Sequence, residues 1–199
     1  MRHLSILTIL LLLAGCAPVV SRNFEPASTD DLLRRAAVIM EEERHPLDAE
    51  ELIIEAMLMC EAAADDICAA RAYKMYAEFL QSPRLVRWEG TLLKKGFRSP
   101  EITYGTRYWH SLDYWERALG AYRDGKRYDG MRACQYNIGL LYDIHLGNRE
   151  KACEYYKKSY ASHVVFRIDY PEIPADVPEG YSDYEEYIRQ VLVETGCLQ

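Results

Sequence analysis

The chain has 199 residues, 49% of them hydrophobic, with 24 Lys and Arg against 31 Asp and Glu for a formal net charge of −7. That balance excludes the concentrated basic face of a nucleic-acid binder. The apolar content, with only 11 Gly and 8 Pro, excludes a disordered or collagen-like chain and leaves an acidic, Tyr-rich body of one-domain length.

Met1-Arg2-His3 opens the chain, an apolar run follows from Leu4 to Leu13, and small residues come next at Ala14-Gly15 before Cys16. A basic start, a short apolar stretch and small residues at its end make a secretory signal. The run is too short to span a bilayer, which takes about 20 residues. Leu13-Ala14-Gly15-Cys16 resembles a bacterial lipobox. The resemblance implies a signal peptide over 1–15, cleavage before Cys16, and acylation there, palmitate included, so that the protein is held in a membrane by several chains, which anchor stably where one does not. Ala17, in the position where Asp retains such lipoproteins in the inner membrane, implies the outer membrane, facing the periplasm.

Residues 16–27 are short, mixed and Pro-bearing, as a tether would be. Helix signals then take over. Ser28-Thr29-Asp30-Asp31 supplies caps before Leu32, Asp48 with Glu51 resembles a capping box, and Asp65-Asp66 caps the run from Ile67 to Leu80. Ser82-Pro83 and Ser99-Pro100-Glu101 each open a further helix, since Pro suits a first turn. Residues 28–98 are therefore expected to form N-terminal helix pairs. His163–Tyr170 is short and soon followed by three Pro, so 163–181 is expected to be an extended loop. Ser182-x-x-Glu185 then opens a C-terminal helix within 182–199, stopped by Gly196. No segment sustains an alternation of period two, and the expected fold is all-α.

An internal repeat organises the middle of the chain. Tyr104–Gly125 set against Ile138–Ser159, an offset of 34, gives six identities: Gly105/Gly139, Tyr108/Tyr142, Leu112/Leu146, Glu116/Glu150, Ala118/Ala152 and Tyr122/Tyr156. A small Gly on one helix facing a small Ala on the next lets the two approach, with the tyrosines filling the gaps around them. The period is that of tetratricopeptide repeats, and Asn137–Tyr142, Gly147-Asn148 and Lys151–Lys158 resemble one tetratricopeptide or Sel-like repeat. The resemblance implies an antiparallel helix-pair repeat stack over 99–162, two repeats of it, with a concave groove that binds a protein segment. Carried over position by position, the groove would present Ile102, Thr106 and Trp109 from one repeat and Tyr136, Leu140 and Asp143 from the next.

Cys60, Cys68, Cys134, Cys153 and Cys197 follow Cys16. Export places them in an oxidising compartment. Cys60 and Cys68 flank Ala64-Asp65, where antiparallel helices would bring them side by side as a disulfide, and the Cys-x7-Cys spacing resembles that of cysteine-rich Sel-like proteins. The partners of Cys134, Cys153 and Cys197 stay open. No Cys-x-x-Cys pair, His cluster, HExxH, phosphate loop or GxSxG occurs, so no catalytic residue, metal or cofactor is expected. His45, His110, His145 and His163 stand apart, and Glu41-Glu42-Glu43 suits a solvated helix face. Arg84, Arg87, Lys94, Lys95 and Arg98, opposed only by Glu89, suit either a mixed surface helix or a face beside an anionic membrane.

The expected role is a lipid-anchored periplasmic scaffold with a protein partner in the envelope, assisting a secretion, pilus or outer-membrane assembly, with no nucleic acid. Two alternatives stand beside it: a binder of peptidoglycan fragments or β-lactams, as the Sel-like resemblance implies, and a purely structural subunit, which an exposed apolar stripe along 163–199 would favour.

Overall fold

The computed structural model describes residues 27–42, 45–174 and 177–198. The signal, Cys16 and nearly all of the tether lie outside them. Among the described residues every regular element is helical: α1 Thr29–Glu42, α2 Pro46–Ala62, α3 Asp66–Gln81, a 3-10 turn Pro83–Trp88, α4 Glu89–Lys95, α5 Arg107–Asp124, α6 Tyr128–Leu140, a π turn Leu141–His145, α7 Arg149–Asp169 and α8 Tyr184–Glu194.

Local chemistry sets most of the boundaries. Ser28 accepts from the Asp31 amide and Asp65 from the Cys68 amide, so each cap satisfies a free N–H of the first turn. Pro46, not the Asp48/Glu51 pair, begins α2, because a first-turn Pro has no N–H to lose. At α8 the expected box is displaced by one residue: Asp183 accepts from the Glu186 amide, and the Glu186 carboxylate reaches back to the amide and hydroxyl of Ser182. Gly196 ends that region with φ +68°, a value Gly adopts without strain.

Two expectations are corrected. Residues 163–169 are not an extended loop; they are the last turns of α7. Ser159, Ser162, His163 and Phe166 fall at helical spacing and are all buried, so packing holds the helix until Tyr170, which precedes Pro171 and leaves the helical region. Ser99-Pro100-Glu101 does not open a helix. Thr103 and Thr106 instead bond each other through side chains and amides, and the helix starts at Arg107. Gly105 therefore lies in a turn, on no helix, and Ile102 is buried at 2% exposure.

Paired contacts give the layout. Ile67 meets Gly125, Tyr73 meets Arg117 and Ser111 donates to the Ala77 carbonyl, so α3 and α5 are antiparallel despite the 25 residues between them. Gly139 with Tyr156 and the Arg132 carbonyl with Ser159 set α6 antiparallel to α7. Arg149 with Thr195 and Ser159 with Tyr184 do the same for α7 and α8. Thr29 with Cys68 and Asp30 with Arg71 make α1 parallel to α3. Arg132 with Tyr184 and Tyr136 with Tyr187 make α6 parallel to α8. The helices thus form two layers: α1, α3, α6 and α8 run one way and α2, α5 and α7 the other. The core between them holds Ile53, Tyr76, Phe79, Trp115, Ile138 and Tyr156, each at most 1% exposed.

The 34-residue match aligns α5 with α7, one outer helix with another. Ala118/Ala152 and Tyr122/Tyr156 are equivalent there, and all four are buried. The nearest neighbours of Gly139 are the ring atoms of Tyr156 rather than Ala152. Tyr122 lies in the same manner over Gly130. Gly130 and Gly139 are nine residues apart, which at 100° per residue sets them on opposite faces of α6. Each face of α6 therefore receives a tyrosine where a side chain would stand: a Cβ on Gly130 would come within 2.5 Å of one ring, and on Gly139 within 2.6 Å of the other. Gly130→Ala and Gly139→Ala should each lower stability by about 1–3 kcal/mol through overpacking, outweighing the gain of about 1 kcal/mol in helix propensity. Gly120→Ala on α5, where nothing lies within 4 Å, should raise it by up to about 1 kcal/mol. Urea melts of the three variants check this; stabilisation by all three would contradict the packing.

Candidate interaction surface

An open concavity of about 900 Å³ is bounded by α1, α3, α6 and the end of α7 with residues 170–174. Helical spacing builds its walls. Arg71, Lys74 and Met75 lie on one face of α3, and Gly130 and Ala133 on one face of α6. Small residues on α6 keep the hollow open, and the Tyr122 ring closes its floor over Gly130.

Its charge is patterned. Arg71 pairs with Asp30 across α3 and α1. Arg127 grips Asp129 through two bonds of 3.2 and 3.0 Å. Burial alone would raise the Asp129 carboxyl, but those bonds and the Arg127 charge hold it below the usual value. Lys74 lies 3.0 Å from Glu78. Arg132, almost fully buried, stacks its guanidinium 4.2 Å from the Tyr184 ring centre and so links the hollow to α8. Four cations thus face it against Asp30 and Asp129, although the chain as a whole is acidic. Burial pushes the Tyr122 hydroxyl up to about 12, so it is a neutral hydrogen-bonding group.

A smaller hollow of about 290 Å³ adjoins it, between α6, α8 and Val177-Pro178. Tyr136 lines it with Tyr187, and their hydroxyls bond each other. Of the six residues expected to form the groove, Tyr136 alone lines an inner hollow. Ile102 is buried under the turn before α5 and presents no surface. Thr106 is exposed and bonded to Thr103. Trp109, 59% exposed, stands on α5 in the other layer. Leu140 is half-buried at the end of α6, and Asp143 in the π turn accepts from the Tyr156 hydroxyl at 3.5 Å. Tyr108 stacks on His145 with ring centres 3.9 Å apart, above the buried Arg107. Burial and then Arg107 hold the His145 imidazole below its usual pKa.

The sulfur atoms of Cys60 and Cys68 lie at disulfide distance across the α2–α3 corner, with Cα atoms 5.4 Å apart. A second pair, Cys153 with Cys197, has Cα atoms 5.2 Å apart and ties α8 to α7. Cys134 is free and buried in α6, and burial pushes its thiol up to about 12. Among the described residues no group of three His, Cys, Asp or Glu could hold a metal ion, and no helix is long and apolar enough to cross a membrane. Comparison with known protein families, with characterised proteins and with solved structures finds no match to this chain.

Proposed function

We propose that this chain is a lipid-anchored scaffold of the bacterial envelope, held on the outer membrane through Cys16, that grips a segment of a protein partner along the inner faces of α1, α3 and α6. The observation that carries this is the concavity of about 900 Å³ walled by three parallel helices, with Met75, Phe166 and Tyr170 as apolar contacts and four cations beside them. On this proposal α1/α2, α3/α5 and α6/α7 are three tetratricopeptide-like pairs, α8 caps the stack, and residues 82–106 are an insertion within the second pair. The equivalence of Ala118 with Ala152 and of Tyr122 with Tyr156 supports that register. Such stacks bind extended segments on the concave side. The proposed role is binding, without catalysis.

The second reading, a structural subunit enclosed by a larger assembly, has its own support in Ile168 at 72% exposure, with Val164, Tyr170 and Ile173 also exposed along the end of α7. One experiment separates the two. Cells are fed a clickable fatty acid and carry the chain with a photo-crosslinking residue at Met75 or, as control, at exposed Glu116 or Ile168. The scaffold requires label that Cys16→Ala abolishes, and a discrete protein adduct from Met75 but not from Glu116. Adducts from Ile168 alone favour the structural subunit. Equal label on the Cys16→Ala chain removes the anchor from the proposal.

A further inference from the structure

The excursion between α3 and α5 serves none of the features above, yet it is the most basic stretch of the molecule. Residues 83–98 hold Arg84, Arg87, Lys94, Lys95 and Arg98 against Glu89, a net of +4 in a chain whose total is −7. Its conformation is fixed from inside. Leu85, Leu92 and Phe97 are buried, and Trp88 packs against the core and His45. Gly96, at φ +76°, turns the chain after α4. The buried Glu50 carboxylate then accepts from the Arg98 amide at 2.8 Å and pins the far end.

With those apolar residues turned inward, the outward side presents another set. Val86 is 57% exposed and Leu93 67% exposed, and the exposed Arg87, Lys94 and Lys95 stand beside them. Two exposed aliphatic side chains among clustered cations, on a rigid support, are the elements of an interfacial membrane contact: the aliphatics enter the headgroup region and the cations meet anionic lipid.

We propose that residues 83–98 form a face that rests on an anionic lipid bilayer. The proposal uses the anchored reading above, because an acyl anchor keeps the face near a membrane. The reach is sufficient. Arg84 donates to the Met40 carbonyl near the end of α1, so the excursion lies about 17 Å along the helix from Thr29 at 1.5 Å per residue. The ten residues 17–26 can span up to about 33 Å. Charge complementarity selects an anionic surface over a neutral one, and the net negative charge of the rest of the chain favours approach by this basic face.

The test uses residues 27–199, which contain every described core residue and lack Cys16, so its outcome is independent of that cysteine. Co-sedimentation is measured with vesicles of phosphatidylcholine alone and of phosphatidylcholine with phosphatidylglycerol. Binding to the anionic vesicles only, weakened by salt, is expected. Lys94→Glu/Lys95→Glu should weaken it at least about 20-fold, since each cation near such a surface contributes about fivefold. Val86→Ser/Leu93→Ser should weaken it without changing its salt dependence. Lys157→Glu, on exposed α7, should leave it unchanged. All these positions are exposed, and an unaltered thermal melt of each variant certifies its fold. Absence of binding to anionic vesicles, equal binding to neutral ones, or an equal loss with Lys157→Glu overturns the proposal. An anionic-vesicle signal in a chain whose Cys16 takes no fatty acid would retain this face and remove the anchor.

Discussion

Replacing Cys153 and Cys197 together by Ala should lower stability by about 4 kcal/mol. The bridge joins residues 44 apart, and the chain-entropy model assigns about that value to a loop of such length. The same model gives about 2.5 kcal/mol for Cys60–Cys68, which are eight residues apart, so the second bridge should matter more. Its place in the fold explains why. α8 is the last helix described; besides the bridge it buries Tyr184, Ile188 and Leu192 in the core and bonds α7 and α6 through the Arg149 guanidinium on the Thr195 carbonyl, the Ser159–Tyr184 hydroxyl pair and the Tyr136–Tyr187 pair. Without the link, α8 should fray before the rest. The expected drop in melting temperature is about 8–16 °C, at about 2–4 °C per kcal/mol for a chain of this size. Calorimetry of the oxidised protein and the double variant measures it. A loss smaller than that of Cys60→Ala/Cys68→Ala would show that α8 does not need the bridge. Cys134 should not disturb the pairing, since a buried thiol held near 12 supplies almost no thiolate for exchange.

The contrast between the two bridges shows what the sequence could and could not carry. Cys60 and Cys68 are linked by local geometry: a short corner, two antiparallel helices and one turn on either side. Cys153 and Cys197 meet only because α8 folds back along α7 in one register, and no local signal encodes that. The repeat behaved in the same way. Ala118 and Tyr122 on α5 and Ala152 and Tyr156 on α7, related by the offset of 34, are all buried. Gly105 lies in the turn before α5 and Tyr108 in the first turn of α5, whereas Gly139 lies on α6 and Tyr142 in the π turn, because the helix that pairs with α5 is α3 and 25 residues intervene. The offset of 34 therefore relates α5 to α7 and does not extend to the segment that precedes α5.

Of the positions expected to form a groove, those at 102–109 fall on the turn before α5 and on its outer face, where Ile102 is buried and Trp109 stands in the other layer. The inner face is made by Arg71, Lys74 and Met75 with Gly130 and Ala133. Spacings of three and four residues mark each helix face in the sequence, but only the packing of α3 beside α6 makes them one surface. The end of α7 shows tertiary context overriding a local signal: three nearby prolines argued for a loop, yet Phe166 and His163 had a core to enter.

Glu50→Ala should cost about 3–5 kcal/mol, with the loss centred on the joint between the excursion and the body. Glu50 on α2 is 0% exposed. Its carboxylate accepts from the Arg98 amide at 2.8 Å, the Ser99 amide at 3.4 Å and the Tyr76 hydroxyl at 2.7 Å. Tyr76 also reaches the Ser99 hydroxyl, so it keeps a partner when Glu50 is removed, but the two amides do not. A buried donor left unpaired costs about 1–3 kcal/mol, and the lost side chain leaves a cavity besides. Glu50→Gln should cost less, because a carbonyl at the Oε1 position still accepts from Tyr76 and Ser99 while its NH2 is left facing the Arg98 N–H. The pH dependence separates this group from an ordinary ion pair. Burial raises the Glu50 carboxyl above the usual value, even against the lowering by the Arg98 amide, Tyr76 and the Arg98 charge. The folded chain therefore holds this proton more tightly than the unfolded chain, whose Glu titrates near 4.3. That contribution is full below the unfolded value and is lost as pH rises through the folded one. Wild type should accordingly lose its advantage over Glu50→Gln as pH increases. Urea melts of both proteins at about pH 4 and about pH 8 measure the difference. An advantage that grows with pH would mean that Glu50 is held as a carboxylate by its amide donors and not by burial as a neutral acid. In either case Glu50→Ala should expose the Arg98 and Ser99 amides to hydrogen exchange well before α5 and α7, because Glu50 is the acceptor of both.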